Sequence, residues 1–138
     1  MSKTLNKALA AQIAFDNRFL DHLLVLIGNL GMPESCGEVA VRLGPLANDL
    51  TRIAEGRGPR DEVLARAPVL RNWSYFSDPG GIRLMGVVAG HPSVGPGPIL
   101  TSILFAIDPQ LKWARTLTRF YVLGDYARPS DPNESGPH

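Results

Sequence analysis

The residues able to do chemistry crowd between positions 91 and 121: His91, Thr101, Ser102, Arg115, Arg119 and Tyr121. A histidine beside an arginine and hydroxyl groups suits an anion, a carboxylate or a polar peptide edge, because it combines donors with a fixed positive charge. His91 with Ser102 or Thr101, and Asp108 as a third member, also has the composition of a small hydrolytic site. No GxSxG elbow accompanies it, however, and Ser or Thr at a strand start commonly bonds neighbouring backbone. His91 has an equally simple structural reading, as the residue that satisfies backbone groups in the proline-rich loop 91–98 (HPSVGPGP).

Other chemistries find less support. His22, His91 and His138 have no HxxxH or HExxH spacing, so no metal is expected. Cys36 is the lone cysteine, which rules out an internal disulfide and a multi-thiolate centre. It lies near an expected helix start, where a thiolate is stabilised, but a lone cysteine is more often a small buried hydrophobe. The glycines of 90–98 alternate with prolines, which lack the N–H donors of a phosphate cradle, and no cofactor is expected. Nucleic acid is the more serious alternative: Lys112, Arg115 and Arg119 lie among Trp113, Phe120 and Tyr121, and arginine with exposed aromatics can hold phosphates and stack bases. A net charge of +1 argues against strong non-specific affinity.

The elements that must position these residues are three β-like runs, 82–90, 98–107 and 115–123. Gly/Pro/Asp clusters at 77–81, 91–98 and 108–109 separate them. In the second run, alternation puts Ile99, Thr101, Ile103, Phe105 and Ile107 on one side and Leu100, Ser102, Leu104 and Ala106 on the other. Both sides are largely apolar, the pattern of a central strand covered on both faces. In the third run, Arg115, Leu117, Arg119, Tyr121 and Leu123 share a side. A hairpin of runs two and three through 108–114 gathers His91, Thr101, Ser102, Arg119 and Tyr121 into one neighbourhood, subject to a register in which a one-residue slip reverses every side chain. Segment 69–76 reads as a strand or extended entry into the sheet, with Trp73 and Trp113 as packing anchors.

Upstream, 4–30 reads as a helix with Thr4 as N-cap and Gly31 and Pro33 at its end. Its second half is apolar around much of the circumference, which suits a core helix or a dimerisation helix. A second helical region, 33–55, is broken or kinked at Gly44-Pro45, and 59–66 is a short third helix. Segment 128–138 is polar and proline-rich and reads as a flexible tail.

One combination of motifs carries a resemblance. Ala67-Pro68, Leu70 and Trp73 are followed by Gly86-Val87-Val88-Ala89-Gly90-His91-Pro92, then Thr101-Ser102, Ile107-Asp108, Trp113-Ala114-Arg115-Thr116, Arg119, Tyr121 and Leu123-Gly124. This pattern resembles a family of short proteobacterial proteins built on a domain of unknown function, over roughly the second half of the chain. The resemblance implies no activity, cofactor or partner.

At 138 residues and 44% hydrophobic, the chain is expected to form one soluble domain over 1–127, helical over 4–66 and sheet over 69–124. No run is long enough to span a membrane and the N-terminus lacks a clean signal core, so a cytoplasmic location is expected. The expected fold is α+β: two or three N-terminal helices on a small, mainly antiparallel sheet of three or four strands, twisted enough to curl toward a partial barrel. The expected function is non-enzymatic: a small binding or regulatory protein acting by protein–protein contact, with homodimerisation through the N-terminal helix a further option. By analogy, it suits an accessory protein of a mobile element or of phage–host conflict. The alternatives are the nucleic-acid module and the small His91/Ser102 enzyme.

Overall fold

The computed structural model describes residues 3–16 and 33–127. Helices α1 (Lys3–Asp16), α2 (Pro33–Ala54) and α3 (Asp61–Arg66) precede strands β1 (Val69–Asp78), β2 (Gly81–Ala89), β3 (Gly97–Ile107), β4 (Trp113–Thr116) and β5 (Phe120–Leu123). The strands follow one another as a meander and close into a five-stranded barrel. In such a meander direction alternates, so the first and fifth strands run the same way and the closing seam has to be parallel. It is short in Cα register, Val69 to Val122 and Leu70 to Leu123. Backbone bonds extend it: Val122 N donates to Pro68 O, Gly124 N to Leu70 O, Trp73 N to Asp125 O and Ala127 N to Trp73 O, at 2.7–3.0 Å.

The expectation of helices on an open three- to four-stranded sheet is corrected by this closure. One cause is the run 115–123, which is two strands. Leu117, Thr118 and Arg119 form a turn held by Thr116, whose N and Oγ1 both donate to Arg119 O at 2.9 and 3.1 Å. No glycine, proline or asparagine marks that turn. The other cause is bulging. An extra residue sits in β1 between Arg71 and Ser74, and in β3 opposite Leu84 and again between Leu104 and Ala106. Bulges bend strands and raise their twist, which is what curls a sheet far enough to meet itself.

In β1, Asn72 takes a left-handed φ of 50°, a conformation that asparagine tolerates better than most residues. Its bulge pushes the β1 backbone against Gly86, where a Cβ would stand 2.8 Å from Arg71 O and 3.1 Å from Trp73 Cα. Gly86 is therefore required by close approach. In β3, the bulge breaks the simple alternation: Thr101 and Leu104, three apart, both point inward and are buried.

The barrel core comprises Leu70, Trp73, Ile82, Leu84, Val88, Leu104, Ala114, Tyr121 and Leu123, joined by Ala10 and Ile13 of α1. Trp73 is fully buried, with Nε1 donating to Gly124 O at 3.0 Å and Tyr126 edge-on at 4.9 Å. Helix α1 lies against β2 and β3, and Asn6 Nδ2 reaches Gln110 O in the β3–β4 turn. Helix α2 continues through Pro45 without a break and buries Leu46. The second half of the expected 4–30 helix, and the tail 128–138, lie outside the described residues. Among the described residues, no helix is long and apolar enough to cross a membrane.

Candidate functional site

One end of the barrel carries the β2–β3 loop, the β4–β5 turn and α3. Gly90, at φ 78°, turns the chain out of β2 and presents His91. The His91 Nδ1 accepts the Ser93 N–H at 3.0 Å, so a neutral ring carries its proton on Nε2. Tyr121, buried on β5, places its ring 6.4 Å from that of His91 at an angle of 39°. Arg119 reaches the same neighbourhood from the turn. Its Nε is buried and meets no acceptor among the described residues. Partial burial, and then the Arg119 charge, hold His91 below its ordinary value of 6.5. Burial pushes the Tyr121 phenol above 10, and Arg119 works against that shift. A cavity of about 350 Å³ opens beside them, lined by Val63, Arg66 and Ala67 of the α3 end, Pro68, Gly90, Pro92, Arg119 and Phe120.

His91, Arg119 and Tyr121 thus come together, while the other candidates are used elsewhere. Thr101 is buried and structural: its Oγ1 accepts the Leu84 N–H at 3.0 Å and donates to Ser102 O at 2.8 Å, satisfying the donor that the β3 bulge strips of a ladder partner. Ser102 Oγ pairs with Thr118 Oγ1 at 3.2 Å. His91 and Ser102 share no hydrogen bond. Asp108 stands at the far end of β3, where its carboxylate accepts the Gln110 and Lys112 N–H groups and shapes the β3–β4 turn. A Ser–His–Asp arrangement is therefore not assembled.

Arg115 is 3% exposed and points at α2. Its Nε donates to Asp49 Oδ2 at 2.9 Å, one Nη donates to Thr116 O at 2.6 Å, and its guanidinium lies 5.4 Å from the Phe120 ring centre. It is a clamp between helix and barrel. Lys112 is exposed before β4 and Arg119 is half-buried after it, but Arg115 between them is buried, so the three do not form one exposed basic patch. Trp113 packs edge-on to Phe120 at 5.7 Å. Among the described residues, no three His, Cys, Asp or Glu side chains are grouped to hold a metal.

Sequence reasoning missed a second feature. On the outer surface of β1–β3, Met85, Val87 and Leu100 are exposed, Leu100 by 51%. With Phe76, Pro98, Ile99 and Ala127 they border a groove of about 710 Å³. Its signal was the two-sided apolar pattern of 98–107. That pattern suits a strand covered on both faces, yet the closed barrel covers only the inner face here and leaves Pro98 and Leu100 exposed.

Comparison with curated proteins and with solved structures finds no match. The family of unknown function DUF6634 matches residues 47–133, a span that takes in the end of α2, all of α3 and the five strands with the rim and groove just described. By that match over more than half its length, the chain belongs to DUF6634.

Proposed function

We propose that the protein is a small, cytoplasmic, non-enzymatic binding protein acting by protein–protein contact, and that its partner docks on the outer face of β1–β3. The observation that carries this reading is the contiguous exposure of Met85, Val87 and Leu100 around an open groove. Exposed apolar surface of that kind marks interaction sites in soluble proteins, because hiding it from water contributes about 25 cal/mol per Å². A closed barrel presents no free edge, so a partner cannot add a strand. It has to be recognised through side chains, and the apolar face of an amphipathic partner helix suits an open apolar groove.

For homodimerisation through the N-terminal helix, α1 has Ala10 and Ile13 committed to the barrel core, and 17–32 lie outside the described residues. The test of the groove is affinity capture from the native host with wild type, Val87→Glu and Leu100→Glu, with and without nuclease. Both positions are exposed, so melting temperature should stay unchanged while a nuclease-resistant partner is lost. A partner retained by both variants refutes the groove, and recovery that depends on nucleic acid transfers the function to the basic residues Lys112 and Arg119.

A further inference from the structure

We infer that the rim cavity between α3, the 90–92 corner and the β4–β5 turn is a binding site for a small organic carboxylate, a planar anion on an apolar body. The proposal is independent of the groove, which lies on another face.

Charge comes first. Arg119 and Arg66 both line the cavity and no aspartate or glutamate does. The Arg119 side chain makes no hydrogen bond or ion pair among the described residues, and its Nε–H is buried without an acceptor. The buried Nε–H is itself closed to the cavity, so a ligand there meets the terminal Nη groups of Arg119, and a carboxylate is the acceptor whose two oxygens match a guanidinium fork. Arg115, four positions earlier, shows the contrast: its guanidinium is satisfied by Asp49 and Thr116.

The walls decide the class of anion. Val63, Pro68, Pro92 and Phe120 are apolar, and both prolines lack an N–H. A phosphate needs donors on several sides, and these walls cannot provide them. A carboxylate takes its hydrogen bonds in one plane and leaves its organic body to pack on Val63 and Phe120. The volume, about 350 Å³, accommodates a small aromatic or branched aliphatic acid. The wall at Pro68 is fixed, because its carbonyl is tied to Val122 N in the barrel seam. The same chemistry has two sources, a free acid and the C-terminal carboxylate of a peptide chain.

The experiment is an amide-resolved NMR titration of the full chain. The probes are benzoate for a free acid, N-acetyl-leucine for a chain terminus, benzamide as neutral isostere and inorganic phosphate as tetrahedral anion. Saturable shifts are expected at Gly90 and Phe120 with at least one carboxylate, and the tighter of the two assigns the source. Benzamide should bind at least about tenfold more weakly, as should either carboxylate to Arg119→Gln. Arg66→Gln, exposed on α3, should weaken binding about threefold and keeps the test decisive if Arg119→Gln fails to fold. The proposal is overturned if neither carboxylate saturates, if benzamide or phosphate binds as well, or if both arginine variants bind like wild type.

Discussion

Replacing Arg115 by alanine should destabilise the protein by about 2–4 kcal/mol, and the loss should depend on Asp49. Breaking a buried ion pair by removing one partner costs about 3–5 kcal/mol when both ends are dry. Here Arg115 is 3% exposed but the Asp49 side chain is 31% exposed, so the abandoned carboxylate regains water and the ion-pair loss falls below that range. Thr116 O also loses its donor, about 1 kcal/mol, and Phe120 loses a cation 5.4 Å from its ring, about 0.5–1 kcal/mol. Asp49→Ala strands the buried guanidinium instead, and should cost a similar amount. The double variant should then be less damaging than the two single losses together, by a coupling of about 1–3 kcal/mol. Urea unfolding followed by circular dichroism gives all four corners of the cycle, provided the slope with denaturant is unchanged. Losses additive within about 0.5 kcal/mol, or a cost for Arg115→Ala below about 1 kcal/mol, would refute the clamp and return Arg115 to the pool of free ligand-binding cations.

Thr101→Val should cost about 1–3 kcal/mol by leaving the buried Leu84 N–H without its acceptor, whereas Thr101→Ser should recover most of that loss in the same unfolding assay. Equal stability of Val and Thr at this position would show that the bulge does not need the hydroxyl. Arg119→Gln should raise both the His91 and the Tyr121 pKa, since the arginine charge lowers each, and NMR and ultraviolet titrations read the two groups separately. A histidine that titrates unchanged would place Arg119 too far away to matter. The signs extend to stability. A His91 pKa held below 6.5 favours the neutral ring, so its contribution is complete above pH 6.5 and fades as pH falls toward the folded-state value. Tyr121, shifted upward, contributes fully below pH 10 and loses that contribution as pH rises through its folded-state value.

Much of the local structure was legible in the residues. Turn signals at 77–81, 91–98 and 108–109 bracket strands whose observed limits, Gly81–Ala89 and Gly97–Ile107, lie within a residue of the expected runs. The neighbourhood of His91, Arg119 and Tyr121 also followed from strand order, because consecutive antiparallel strands return the chain to the same end. What failed was everything that needed a count of residues along a strand. Alternation holds only until a bulge intervenes, and the one opposite Leu84 turned Thr101 into a structural acceptor, while Ser102 bonds Thr118.

The turns at 77–81, 91–98 and 108–109, the two strands between them, and the lack of any recognisable catalytic or metal motif were already written in the residues, because those signals come from the conformational preferences of a few neighbours. Tertiary structure decided the rest. Leu117–Arg119 became a turn through Thr116 and not through any turn-forming residue type. Asp49 took Arg115 from 66 residues away. A parallel seam between Pro68–Trp73 and Val122–Ala127 converted an open sheet into a barrel, exposing an apolar outer face that an open, helix-covered sheet would have hidden. Pairings across such separations are selected by the packing and hydrogen bonding of the whole closed barrel, and no window of neighbouring residues contains that information.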